Sequence, residues 1–362
     1  MIMKKLPKAL KTNIKNWRFD NLELGEVPTT TVCELDLHAT PNQIIIVDGT
    51  IVHSEVPHGV EVSTGSGIFP LEPTNSLLEL NYQNFNSKIE IKVPKDMVVM
   101  DTLSVVIVVK HRSLVHQTSV VLAESSAIEI VESYIGMGEF CANIVANYTI
   151  GANASLTLST INNLAPSTVV YHHKYADVAN DGKLDTTNFA INDTDLVFED
   201  FVFLTGRGAG ADLKTVAIAS GSQKQNLTIR TENIASNTVG NIVNYGIVKD
   251  EAHLAFNGIG KIQKASKASD NQQETRLLNL SITAEAVANP FLLIDEGDIT
   301  AGHAASIGQL DEEQIYYLMS RGMSRAEASR LIVSGFLTPF VDAIRDEEMR
   351  TTLAGKIESK LG

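Results

Sequence analysis

Residues 196–219 read LVFEDFVFLTGRGAGADLKTVAIA, and how this stretch divides decides the fold class. Leu196 to Leu204 is a run of aromatic and branched residues of strand length. Gly206, Gly208 and Ala211 then satisfy G-x-G-x-x-A, the pattern of a dinucleotide-binding turn. Such a turn must open a helix whose N-terminus faces the pyrophosphate. Leu213 to Ala219 instead alternates, with Val216 and Ile218 on one face, so a second strand follows the glycines. Strand, tight turn, strand excludes the cofactor reading and sets a β texture for the flanking chain.

That texture extends from about Asp101 to Ile299. Ser104 to Val109, Ser119 to Ala123, Ala127 to Ile135, Ser155 to Ile161 and Thr168 to Tyr171 are runs of Val, Ile, Thr and aromatics bounded by Gly, Asn, Asp and Ser. Leu156 and Leu158 again place one face inward. A long array of short strands with few helix signals fits a sandwich, a barrel or a stacked solenoid, and no exact repeat chooses among them.

Residues 1–100 read as a mixed region. Lys4, Lys5, Lys8, Lys11, Lys15 and Arg18 surround an apolar stripe of Leu6, Leu10, Ile14 and Trp17, which predicts a solvated helix. Strand-like pieces, Gln43 to Val47 and Ile89 to Val93, follow among Pro28, Pro41, Pro57, Pro70, Pro73 and Pro94.

From Gln309 helix signals take over. Asp311 with Gln314, and Ser324 with Glu327, have the spacing of capping boxes. Ile315, Leu318 and Met319 form an apolar stripe, Leu331 and Ile332 sit in the second helix, and Gly322 and Gly335 are placed to end the two. Asp346 is placed to cap a third helix through Met349, Leu353 and Ile357 to Leu361. Ile315, Leu318 and Leu331 are expected in the core.

The bulk numbers bound the function. The chain has 362 residues, 44% hydrophobic, and 29 basic against 43 acidic residues give a net charge of −14. A sizeable core is affordable, and the sign opposes nucleic-acid phosphates and anionic membranes. No window approaches the roughly 18 apolar residues of a membrane span, and no apolar stretch of signal-peptide length follows the basic start, so a cytoplasmic location is expected. Cys33 and Cys141 build neither a disulfide framework nor a four-cysteine zinc site.

Few residues offer chemistry. Gly260-Lys261 lacks the leading glycine of a phosphate loop, because Ala255 stands there, and Ile262 follows the lysine. His172 and His173 would point to opposite faces of a strand and so not share a metal. His303, in DITAGHAAS (298–306) with Asp295, Glu296 and Asp298 near it in sequence, has the chemistry to ligate iron or zinc or to exchange protons near neutral pH. No nucleophile–histidine–acid set can be assigned, and the chain is read as a non-enzyme.

The run LIDEGDITAGHAASIGQLDEEQIYYLMSRGMSRAEASRLIVSGFL (293–337) resembles the C-terminal signature of the SufB/SufD family of iron–sulfur cluster assembly proteins. GIGKIQKASKASDNQQETRLLNLS (258–281) resembles the last β turns of the SufD branch, and Trp17-Arg18-Phe19 the family's N-terminal tryptophan motif. Glu274-Thr275-Arg276 stands where the SufB branch would offer a cysteine, which favours the SufD branch.

The resemblance implies a mostly β fold: a right-handed parallel β-helix core over 101–300, an N-terminal mixed helical and strand region over 1–100, and a C-terminal helical domain over 301–362. It implies a scaffold subunit that pairs with a SufB-like paralogue through the β-helices and docks a SufC-like ABC ATPase through the helical domain. His303 matches the family histidine facing SufB near an iron or cluster site. No cofactor is then bound stably by this chain alone, and iron or a nascent iron–sulfur cluster sits at the interface with SufB. Tyr316, Tyr317, Arg321, Met323 and Phe336 are the expected ATPase-docking face, as aromatic, Met and Arg residues concentrate at interface centres. The alternatives are a self-associating β-helix homodimer and a β-helix polysaccharide-active enzyme.

Overall fold

In the computed structural model, residues 4–5, 39–64, 71–72, 75–136, 141–164, 169–342, 344 and 347–361 are described. The glycine-containing turn after Leu204 joins two strands without pairing them. Leu196–Leu204 belongs to a nine-stranded sheet and Gly210–Ala219 to a ten-stranded one. Leu196–Leu204 pairs in parallel with Val169–Val178 and Lys224–Asn233, the strands two before and two after it. The chain thus winds as a parallel β-solenoid of about seven turns, resolving the choice the strand pattern left open.

The corners explain the turn chemistry. Asn153, Asp181, Gly208 and Asn237 all have φ between 54 and 73°, the left-handed region open to Gly and tolerated by Asn and Asp. Each N–H bonds a carbonyl of the next turn: Asn153 to Asn180, Asp181 to Arg207, Gly208 to Ser236 and Asn237 to Lys267. The G-x-G after Leu204 is therefore one corner of a stack. A side chain at Gly208 would meet the Asp181 carboxylate beneath it.

Between the sheets lies a continuous aliphatic core that includes Val105, Ile130, Leu158, Leu213, Ile229, Leu254 and Phe256. Burying each such side chain is worth about 1.5–3 kcal/mol. Helices cover both outer faces. α1 (Ser76–Asn84) lies on the nine-stranded sheet, where Leu78 packs with Val145, Tyr171, Val197 and Phe201. Its cap Asn75 accepts from the N–H groups of Leu77 and Leu78 and donates to the Tyr171 hydroxyl at 3.1 Å. Because both faces are covered, all nine residues of Leu196–Leu204 are buried, which is why the strand reads as a run rather than an alternation.

The other face holds the C-terminal helices α2 (Glu312–Ser320), α3 (Arg325–Val341) and α4 (Glu347–Leu361). Val333, Leu337, Phe340, Leu353 and Ile357 pack on Val131, Ile161, Phe189, Val216, Ile218 and Ile247. Lys360 fastens α4 by donating to the Asn192 carbonyl and, at 3.1 Å, to Asp193. The expected caps at Asp311 and Ser324 are both present, the second as a full capping box. Gly335, expected to end the second helix, lies inside α3. The packing of Val333, Leu337, Phe340 and Val341 outweighs the roughly 1 kcal/mol a mid-helix glycine costs.

The helices thus lie on the flank of the solenoid. Three further expectations are corrected. Gln43–Val47 and Ser87–Val93 join the two solenoid sheets instead of standing apart. The last strand, Ile299–Gly308, carries the solenoid past position 300. Lys4–Lys5 forms a short parallel pair with Leu71–Glu72 and is not helical. The rest of the basic start, with Trp17-Arg18-Phe19, and the residues Cys33 and Asp346 lie outside the described residues.

Candidate functional site

Two strands lack a neighbour. Glu285–Ile294 ends the nine-stranded sheet and Ile299–Gly308 the ten-stranded sheet; among the described residues no strand pairs their outer edges. Their inner edges carry full parallel ladders to His253–Ile262 and Ser269–Asn279. The outer edges thus present two rows of unpaired N–H and C=O groups. Pro290, which donates no hydrogen bond, is tolerated because its strand is an edge. The side chains match: Phe291, Leu293, Ile294 and Ile307 are 41, 47, 38 and 49% exposed. Ile262 and Leu277, the partners of Ile294 and Ile307 one turn earlier, are buried. The opposite end is blunted, because Thr50–Ser54 and Glu61–Ser63 close the two sheets there as short antiparallel strands.

His303 stands in the middle of the last strand, in register with Gln273. Tracing back one turn at a time, Gln273 lies beside Ile242 and Ile242 beside Leu213, both core residues between the sheets. His303 therefore stands on the lumen side of the open turn, exposed because among the described residues no further turn covers it. Cys141 is buried at the start of Cys141–Ile150. Among the described residues no three His, Cys, Asp or Glu side chains gather as a metal site. One imidazole supplies one ligand, whereas iron–sulfur centres use several, mostly thiolates.

The other candidate residues are scattered by the fold. His172 points into the lumen between Tyr134 and Phe198, and His173 points outward beneath α1, 3.0 Å from Glu199, so alternation does separate them. Lys261 follows Gly260 within the strand His253–Ile262, not at a helix start. On α2, Tyr316 and Tyr317 are exposed, and the Arg321 guanidinium just beyond lies 5.2 Å over the Tyr317 ring. Arg325 of α3 forks onto Glu312 of α2 at 2.8 and 2.5 Å, holds that carboxyl below its usual range and fixes the helix pair. A shallow groove between the two is lined by Gln314, Tyr317, Leu318 and Ile332.

Met323 is half-buried, and the Phe336 ring packs at a tilt against Tyr245, centroids 4.6 Å apart, facing the solenoid flank. Ile315 is buried as expected, but Leu331 is 51% exposed, because α3 turns Ala328, Val333 and Leu337 inward and leaves Leu331 on the opposite side. Reading the sequence missed the apolar edge residues Phe291, Leu293, Ile294 and Ile307. Their run of apolar character was legible, but not that their sheet neighbour is missing.

Comparison with known proteins agrees with this architecture. The family described as "SUF system FeS cluster assembly, SufBD core domain" matches residues 105–336. The iron–sulfur cluster assembly protein SufD of Bacillus subtilis (strain 168) is 37% identical over 277 residues, covering 74% of this chain and 63% of that protein. An iron–sulfur cluster assembly SufBD family protein of Mycobacterium leprae (strain TN) is 23% identical over 345 residues, covering 94% of this chain and 35% of that protein. Another from Mycobacterium tuberculosis (strain ATCC 25618 / H37Rv) is 25% identical over 299 residues, covering 80% of this chain and 75% of that protein. The chain therefore belongs to the SufB/SufD family of iron–sulfur cluster assembly proteins, on its SufD-like side. It spans less than two thirds of the length of the first two relatives. No helix among the described residues is long and apolar enough to cross a membrane.

Proposed function

We propose that this chain is a scaffold subunit of the SUF iron–sulfur cluster assembly machinery, acting through its open terminal turn and its flank helices rather than through a catalytic centre of its own. The observation that carries this reading is the pair of unpaired sheet edges at Glu285–Ile294 and Ile299–Gly308, with four exposed apolar side chains. A SufB-like paralogue with the same fold has a complementary edge, and joining the two continues both sheets. His303 then lies inside the joint, where it adds one nitrogen ligand to thiolates from the partner. Iron or the nascent cluster is cargo at that joint. The α2–α3 pair, with Tyr316, Tyr317 and Arg321 outward and Met323 beside them, is the docking face for a SufC-like ATPase. Phe336 is left out of that face because its ring is engaged with Tyr245.

Self-pairing of two copies is the second reading, favoured by the same edges, since a two-fold interface needs only one self-complementary patch. Co-expression with SufB- and SufC-like partners, purification through a tag on this chain and sizing of the product test both. A stable hetero-complex with stimulated ATP hydrolysis supports the scaffold; a homodimer that excludes the paralogue supports the second reading; a monomer that captures neither overturns both.

A further inference from the structure

The outer face of the nine-stranded sheet carries a polar row that ends at the open edge. The register sets His173 beside Glu199, Glu199 beside Thr228, Thr228 beside Asn257 and Asn257 beside Asn289 of the edge strand. His173 faces outward beneath α1, so the whole row lies on the outer face. Asn289 donates through Nδ2 to Asn257 Oδ1 at 3.0 Å. Asn257 donates in turn to Asn226 Oδ1 at 3.0 Å and to the Leu227 carbonyl at 3.3 Å. A backbone carbonyl only accepts, so Leu227 fixes which way the Asn257 amide is turned. Asn257 therefore shows its oxygen to the edge, and Asn289 answers with its N–H.

The amides thus have a direction: N–H groups point inward along the stack and oxygens toward the side where a further turn would lie. Asn289 is exposed, and among the described residues no donor reaches its Oδ1. Water satisfies that acceptor while the edge is bare. A joining strand that covers it without bringing a donor removes the water and leaves nothing in its place. Pro290 beside it has no N–H, so the middle of this edge is richer in acceptors than in donors.

A second copy does not supply the missing donor. Two copies joined end to end about a two-fold axis normal to the sheet meet with their edge strands antiparallel, and residues directly opposite share a face. The outward residues of Glu285–Ile294 are Glu285, Val287, Asn289, Phe291 and Leu293. The glutamate carboxylate and the three apolar side chains offer no donor, and a second Asn289 has its N–H turned inward, so oxygen would meet oxygen. About an axis along the strands, the edge meets the copy's Ile299–Gly308 instead, and full overlap sets Asn289 against Gly302 or Ala304, the residues flanking the lumen-facing His303.

We propose that Asn289 is a specificity-determining residue of the open edge: its outward oxygen biases joining away from a second copy and toward a different chain whose edge strand sets an amide, hydroxyl or cationic side chain opposite it. The identity of that chain as the paralogue rests on the assembly reading above; the bias against self-pairing does not.

The test compares the full-length chain with Asn289→Val, which removes the acceptor from an exposed strand position. Sedimentation equilibrium of each chain alone should show self-association strengthened by about fivefold or more in the variant, while its affinity for the SufB-like paralogue falls by a similar factor. Opposite signs are the signature, because general damage to the edge weakens both. Asn289→Ala, which adds no apolar bulk, should move both affinities the same way and stands in if the first variant fails to fold. Self-association that is unchanged or weaker in both variants overturns the proposal, as does paralogue affinity that is unchanged or higher. A wild-type chain that binds no paralogue brings down the assembly reading, and the self-association comparison then decides the bias by itself.

Discussion

Gln273 and His303 are ladder neighbours one turn apart, yet the glutamine is buried and the histidine exposed. Nothing local distinguishes the two positions; the difference is the turn that would have followed. His303 therefore bears almost no load in the fold. His303→Ala should change stability by no more than about 0.5 kcal/mol. It should co-purify with the same partners while cluster formation, followed by visible absorbance, is lost; undiminished cluster formation would remove His303 from the proposed site.

The edge strands should tolerate charge while losing association. Phe291→Lys and Leu293→Lys place charge on exposed positions, where the stability cost is within about 0.5 kcal/mol. Sizing chromatography should show loss of both self-pairing and capture of the paralogue, as lysines on an edge strand are a common bar to edge pairing. Retained association would move the interface elsewhere.

The lumen should be intolerant of half-measures. Lys174→Ala leaves Asp200 buried without its countercharge and should cost about 3–5 kcal/mol. Replacing both, as Lys174→Met with Asp200→Leu, removes the charges together and should recover much of that loss in urea unfolding.

Acidification should destabilise the fold through its inner histidines. Burial lowers the pKa of His116 from 6.5 to about 3, and that of His172 well below its usual value. Between pH 6.5 and about 3 the unfolded chain takes up a proton at His116 that the folded chain refuses. Stability is thus fully present above pH 6.5 and falls as pH drops, by about 1.4 kcal/mol per unit for one group. Glu132, shifted upward, acts in the opposite sense. The clean measurement is the difference between wild type and His116→Gln in urea midpoints at pH 7 and pH 5, where the variant should lose less; equal losses would mean His116 is not buried in its neutral form.

What could be read in advance was what lies close in sequence. The caps at Asp311 and Ser324 work within three residues, and the strand after Gly208 is set by its own alternation. Gly335 and Leu331 were misjudged because tertiary packing, not the local pattern, decides which stripe of α3 is inward. The solenoid itself is a matter of register between residues about one turn apart. That distance drifts, 29 residues from Asp212 to Asn241 but 32 from Asn257 to Asn289, so no fixed period marks it.

Because the described helices sit on the flank and no described residue covers the edges of the terminal turn, the chain alone carries a standing aggregation hazard. Two adjacent sheet edges with apolar side chains are a template for any extended segment that passes. A cell that makes this protein has reason to match its synthesis to whatever occupies those edges, and overproduction by itself should drive it into inclusion bodies or to proteolysis. Dosage balance, more than intrinsic folding stability, then sets how much of it survives.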